Sequence, residues 1–125
     1  MRSISYTEYL MGRARVEDLP LGCVQNMVVL LTIVNNLLIE FGEYRKVVSG
    51  YRRPEDNAAA GGAKKSAHMT CEAIDLEDKD ERFKKFMTEE LLEKFGLYRE
   101  ADKATPSWIH LTTRAPRSGS RVFNP

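Results

Sequence analysis

The chain carries two histidines, His68 and His110, and an aspartate, Asp75, that follows His68 by seven residues in the stretch SAHMTCEAID. His110 alternates with apolar neighbours in the stretch SWIHLTT, a pattern typical of a strand. Two imidazoles and one carboxylate form a ligand set that suits Zn²⁺ and leaves a fourth position for water, as catalytic zinc sites require. Spacing alone leaves the alternative open that these histidines are ordinary core or surface residues.

The elements that must position these residues are predicted from apolar spacing and turn signals. Apolar side chains recur at helical spacings through residues 21–41, and Gly42 is placed to end that helix. The remaining predictions are strands over residues 46–51, 74–77 and 107–113, a turn-rich loop over 52–67, one or two helices over 78–96, and a short edge strand in the tail. Because helices and strands do not alternate regularly, the predicted class is α+β.

Composition limits the classes of function. The 125 residues, 42% of them hydrophobic, fit a single domain over residues 1–125. A net charge of +1 argues against non-specific electrostatic binding to nucleic acid or to an anionic membrane. The apolar run MVVLLTIV is shorter than the roughly 18 residues of a membrane span, and residues 1–20 lack the features of a secretory signal. Cys23 and Cys71 form no CxxC pair, so we expect free thiols in a reducing cytosol.

Several ordered motifs resemble one known family. The stretch SGYRRPEDNAAAGGAKKSAHMTCEAID, followed later by WIHL, is similar to the zinc D-alanyl-D-alanine carboxypeptidase and L-alanyl-D-glutamate endopeptidase family, metallopeptidase family fifteen, which includes many bacteriophage members. The family pattern is S-G-Y-R, then N and G-G-A, then S-x-H-x-x-G-x-A-x-D, and finally W-x-H. The matching residues are Ser49, Gly50, Tyr51, Arg52, Asn57, Gly61, Gly62, Ala63, Ser66, His68, Ala73, Asp75, Trp108 and His110.

The resemblance implies a small α+β domain of the hedgehog and D-Ala-D-Ala peptidase type, with an antiparallel sheet beside the site and a long core helix. It implies that His68, Asp75 and His110 bind Zn²⁺, and that the substrate is the stem peptide of bacterial peptidoglycan, cut at a bond involving D-amino acids. Arg52 matches the family arginine that holds the substrate or its developing oxyanion, a task that suits a permanently charged, planar guanidinium. We assign substrate contacts to Arg52, Ser66 and Trp108.

One departure from the family concerns the general base. The family usually has an acidic residue three positions before the last histidine, and this chain has Ser107 there. A serine hydroxyl does not accept a proton from water at neutral pH, so either another carboxylate substitutes or the enzyme is weak. We expect Asp102 or Glu100 to be the base ahead of Glu72, because strand alternation points Glu72 away from the metal.

A second departure is Cys71, which stands three residues after His68 in place of the family glycine. If its thiolate filled the fourth position, the zinc site would be closed and structural. The alternative we favour is a small buried residue that behaves as a hydrophobe.

Two functions remain open from the sequence. The first is a phage or prophage zinc peptidase, synthesised in the cytoplasm without a signal peptide, that reaches the cell wall after release or as part of a phage particle. The second is a catalytically impaired relative that serves as a wall-binding or structural component of the virion, among other virion proteins. Ser107 is the residue that favours the second function.

Overall fold

A computed structural model describes residues 2–125 as a small α+β domain built on one five-stranded sheet, which confirms the predicted class. The helices are α1 (Tyr6–Leu10), α2 (Cys23–Phe41), α3 (Pro54–Ala59), α4 (Arg82–Phe86) and α5 (Glu89–Phe95). The strands are β1 (Val47–Ser49), β2 (Ala73–Glu77), β3 (Tyr98–Glu100), β4 (Trp108–Thr112) and β5 (Val122–Phe123). Short 3₁₀ turns lie at Val16–Asp18, Ala67–Thr70 and Asp102–Ala104.

The long helix α2 forms one side of the core. Its buried side chains join one apolar cluster with sheet residues such as Ile74 and Ile109. Gly42 ends the helix with a φ of +90°, a left-handed conformation that glycine adopts without steric cost. By length and composition alone, α2 is also long enough and apolar enough to cross a membrane. In this fold one face packs into the core, and the other exposes Val29 and Ile39.

The sheet has the strand order β1-β2-β4-β3-β5. The pairings of β1 with β2, β2 with β4, and β4 with β3 are antiparallel, in agreement with the antiparallel sheet that the resemblance implies, whereas β5 runs parallel to β3. After β4, residues 113–121 carry the chain to the outer edge of β3 and turn it back, so β5 runs in the same direction as β3. The sheet is therefore mixed at this edge.

Three short elements differ from the sequence prediction. The segment 52–67, predicted as a turn-rich loop, contains α3, where Pro54 occupies the first turn, in which a helix leaves N–H groups unpaired in any case. The helix α1 and the strand β3, with five and three residues, are too short to show a periodic pattern and were missed. Of the three, β3 matters most for the site, because it brings Glu100 alongside β4.

Candidate metal centre

The register of the sheet places a row of polar side chains across one of its faces. Asp75 on β2 lies directly opposite His110 on β4. The pairing of Arg99 with Leu111, continued by one residue, brings Glu100 opposite His110 from the other side. Residues that oppose each other in neighbouring strands share a face, and their chain neighbours point the other way. The polar row therefore lies on one face of the sheet, while the alternating apolar residues enter the core.

His68 reaches this row from the 3₁₀ turn Ala67–Thr70. The hydroxyl of Ser66 starts the turn by accepting a hydrogen bond from the backbone N–H of His68 (3.2 Å). Nδ1 of His68 lies 2.8 Å from the carbonyl oxygen of Gly50. Because a carbonyl only accepts, Nδ1 donates a hydrogen bond to Gly50, and Nε2 is the ring nitrogen that faces the cluster, 3.3 Å from Oδ2 of Asp75.

The side chains of His68, Asp75 and His110 each offer one ligand atom, and these atoms lie within 4.8 Å of one another. All three side chains are largely buried, with His68 3% and Asp75 6% exposed. Two nitrogens and a carboxylate are a ligand set that zinc prefers. The hydrogen bond from His68 to Gly50 is the kind of outer partner that metal-bound histidines usually have. The residues present therefore fit a zinc ion.

Within this cluster, Asp75 and His110 each stabilise the charged form of the other. Burial by itself would raise the pKa of Asp75, but hydrogen bonds from His110 and His68 outweigh burial and hold that pKa well below its usual range. Burial likewise opposes a proton on His110, yet the neighbouring Asp75 carboxylate raises the pKa of His110 above its ordinary value. Asp75 thus stays ionised although it is buried, which makes it a ready ligand for a cation.

The guanidinium of Arg52 is held beside the cluster. Its Nε donates to Oγ of Ser49 (3.1 Å), its Nη1 donates to Oδ1 of Asn57 (3.3 Å), and its Nη2 lies 3.7 Å from Oδ2 of Asp75. Gly62 allows this arrangement, because a Cβ at that position would lie 2.0 Å from Oδ1 of Asn57. With a side chain only 15% exposed, Arg52 is a fixed positive charge and differs from a solvated arginine.

A cleft of about 490 Å³ opens over the cluster. Besides the three candidate ligands, its lining includes the predicted contact residues Arg52, Ser66 and Trp108 and the candidate base Glu100. The sequence motifs, although far apart in the chain, are thus brought together around one opening.

The structure separates the candidate general bases. Glu100 lines the cleft, whereas Asp102 lies outside the lining with a side chain 67% exposed, and it accepts a hydrogen bond from Arg99 (2.7 Å). Glu72 also lies outside the lining and pairs with Arg114 (3.0 Å). Ser107, at the position of the family's acidic residue, is exposed and lies outside the lining too. Glu100 is therefore the one candidate of these that faces the metal cluster.

Cys71 lies in the core. Its side chain is fully buried, and burial raises the pKa of its thiol. Within residues 2–125 the cluster able to hold a metal ion consists of His68, Asp75 and His110 and does not include Cys71. This placement agrees with a small buried residue and gives no support to a fourth, thiolate ligand.

Sequence reasoning missed two contributors to the cleft, Phe123 and Arg114. The ring of Phe123 lies edge-on to that of His110, with the centroids 6.3 Å apart. Phe123 belongs to a two-residue strand, which shows no periodicity, and its position depends on the parallel pairing of β5 with β3. The tail was expected to be solvated and to end in a short edge strand. β5 is that edge strand, but no signal in the sequence places Phe123 or Arg114 beside the metal cluster.

The geometry can be set beside known proteins. Residues 8–112 match the sequence model of a family described as Peptidase M15. Neither a curated protein nor a solved structure matches the chain significantly. The matched region includes all three candidate ligands, Arg52 and Glu100, and it ends at the last residue of β4.

Proposed function

Because this chain belongs to the peptidase M15 family, we propose that it is a zinc metallopeptidase that hydrolyses bonds involving D-amino acids in the stem peptides of bacterial peptidoglycan. The family that the motifs resemble is thereby confirmed, and with it a peptidase class. The observation that carries the finer proposal is the convergence of His68, Asp75 and His110 with Arg52 and Glu100 on one cleft.

The metal would be held by Nε2 of His68, the carboxylate of Asp75 and Nδ1 of His110, the atoms that face one another in the cluster. Zinc bound there supplies Lewis acidity, which polarises a carbonyl and lowers the pKa of a bound water toward about 7. The hydrogen bond from His68 to Gly50 and the buried, ionised state of Asp75 keep these ligand atoms oriented.

Arg52 would bind the oxygen of the scissile carbonyl as negative charge develops on it. Its side chain is already held by Ser49 and Asn57, so little reorganisation accompanies the reaction. Trp108 and Ser66, which also line the cleft, would place the peptide on either side of the reacting carbonyl.

Glu100 would act as the general base. Its carboxylate accepts a proton from the attacking water and later returns a proton to the leaving amine nitrogen, which keeps the proton count balanced. This assignment supplies the carboxylate that Ser107 does not. The alternative, a catalytically impaired wall-binding component of a virion, has in its favour only the serine at position 107.

We also propose that the protein is encoded by a phage or prophage and meets the cell wall after lysis or as part of a phage particle.

The experiment that tests the enzymatic function is digestion of purified peptidoglycan by the zinc-loaded protein, with mass spectrometry of the released fragments. We expect new amino and carboxyl termini at one stem-peptide bond, lost on chelation and in His110→Ala. A folded, zinc-loaded protein that releases nothing from several peptidoglycan types would contradict the peptidase assignment.

A further inference from the structure

Residues 113–125 lie beyond the part of the chain that matches the family, yet they contribute to the lining of the metal cleft. Arg114 follows β4 closely, and Phe123 lies on β5. Arg114 contacts the segment that carries His68, and the ring of Phe123 lies edge-on to the ring of His110. The contacts on the two sides are independent of each other.

On the first side, Arg114 binds both ends of the segment that carries His68. Its Nη1 donates to the carbonyl oxygen of Lys65 (2.6 Å), and its Nη2 donates to Oγ1 of Thr70 (2.7 Å). The same Nη2 lies 3.0 Å from Oε1 of Glu72, which also accepts a hydrogen bond from Thr70. A planar guanidinium fork suits this set of acceptors, and a lysine would not span them. Arg114 thus ties the 3₁₀ turn of His68 to the end of β4.

On the second side, Phe123 lies against the ring of His110. Phe123 pairs with Glu100 on β3, so it extends the row across the sheet by one more strand. Its ring meets that of His110 at an angle of 82° with centroids 6.3 Å apart, an edge-to-face arrangement. Backbone bonds from Arg99 to Arg121 (2.8 Å) and from Ala101 to Phe123 (2.7 Å) hold β5 in place.

We propose that residues 113–125 act as a clamp on the metal centre, in which Arg114 positions the turn that carries His68 and Phe123 positions the ring of His110. The clamp rests on the metal site of the proposed function, but it concerns metal affinity and not hydrolysis. Ligands held in place by outer contacts bind a metal more tightly than ligands that must first be ordered. Both residues are positioning residues, since neither offers a ligand atom to the cluster.

The test is the zinc dissociation constant of the full chain, measured by competition with a chromophoric chelator at fixed pH. We expect Arg114→Gln to weaken zinc binding about tenfold and Phe123→Ala to weaken it about 2- to 10-fold. Arg117→Gln, a change of an exposed arginine in the same segment, should leave the affinity unchanged. Phe123→Tyr, which keeps the ring, should restore it. The absorption spectrum of the Co²⁺-loaded protein should change in Phe123→Ala, because the ring of His110 is less constrained.

A matched control separates positioning from general loosening. Val122→Ala removes core packing from the same strand, so it should lower the melting temperature and leave the zinc affinity unchanged. The clamp is wrong if Phe123→Ala or Arg114→Gln binds zinc like the parent, or if Val122→Ala weakens zinc as much as Phe123→Ala. Should Arg114→Gln not fold, Arg114→Lys keeps the charge without the fork and is expected to show the same loss. A parent that binds zinc without cleaving peptidoglycan would contradict the proposed activity. The zinc dissociation constants of the variants would still test the clamp.

Discussion

Two buried aspartates, Asp75 and Asp78, lie three residues apart and have opposite surroundings. Asp78 is 1% exposed, and its two carboxylate oxygens accept backbone N–H groups at the start of α4, from Phe83 (3.0 Å) and Lys84 (2.9 Å). These are N–H groups that a helix start would otherwise leave unpaired. Both hydrogen bonds to Asp78 therefore come from the main chain, and among the described residues Arg45 is the one side chain that pairs with its charge, at 3.9 Å.

Asp75 has side chains as its partners. Its carboxylate oxygens lie 2.8 Å from Nδ1 of His110, 3.3 Å from Nε2 of His68 and 3.7 Å from Nη2 of Arg52. Side chains can rearrange around a ligand, whereas a helix start cannot do so without unfolding. Burial of a charge therefore does not by itself mark a candidate functional residue; the side-chain partners of Asp75, and the open cleft beside them, make it the candidate here.

The largest expected effect comes from removing the negative charge of Asp75. Asp75→Asn keeps the shape of the side chain but removes the anionic ligand, so we expect zinc to be lost and hydrolysis to fall to the level of the chelated protein. Elemental analysis of the purified variant and digestion of peptidoglycan measure both. Zinc retained at about one ion per chain would show that Asp75 is not a ligand.

The same substitution at Asp78 is the matched control. Asp78→Asn turns one acceptor into a donor that faces a backbone N–H, which should cost about 1–3 kcal/mol of the free energy of unfolding. Zinc content and activity of the folded fraction should stay at the parent's level, because Asp78 lies outside the cluster. Denaturation in urea measures the free energy of unfolding. A loss of zinc as large as that of Asp75→Asn would erase the distinction between the two aspartates.

The next effect separates two carboxylates that sequence reasoning could not rank. Glu100→Gln should lower turnover about 10²- to 10⁴-fold with zinc still bound, because it removes the proton acceptor from the cleft. Asp102→Asn should remain close to the parent, since Asp102 pairs with Arg99 outside the cleft. Initial rates at matched zinc loading decide between them. The reverse order of rates would assign the base to Asp102.

The ranking of these carboxylates shows where sequence reasoning reaches its limit. Local patterns were sufficient for α2 with its glycine cap, for β2 and for β4, because periodicity and turn residues lie within each segment. The motifs also identified His68, Asp75 and His110 as candidates. The placing of Glu100 depends on which strand lies beside β4 and in which register, and a slip of one residue would turn Glu100 to the other face. Phe123 depends in the same way on the parallel pairing of β5.

A smaller effect comes from two arginines, one beside each aspartate. Arg52→Ala should lower kcat/KM about 10²- to 10³-fold through loss of an oxyanion donor, with zinc content unchanged. Arg45 lies 3.9 Å from Oδ1 of Asp78 and over the ring of Phe41, outside the cleft. Arg45→Ala should therefore lower the melting temperature and leave kcat/KM unchanged. Equal activity of Arg52→Ala and the parent would show that Arg52 takes no part in the reaction.

The smallest effect is expected at Ser107, although the family pattern marks that position for the base. Ser107 is exposed, has a φ of +76°, and holds the start of β4 to the end of β2 through its carbonyl oxygen, which accepts the N–H of Asp78 (2.8 Å). Aspartate tolerates this left-handed backbone better than most residues, so Ser107→Asp should fold normally. With Glu100 as the base, the new carboxylate lies outside the cleft, and the rate should change by about twofold or less, as in the remote control Ser118→Asp. A rise of about 10²-fold in Ser107→Asp alone would mean that a base was missing and that the parent is the impaired relative.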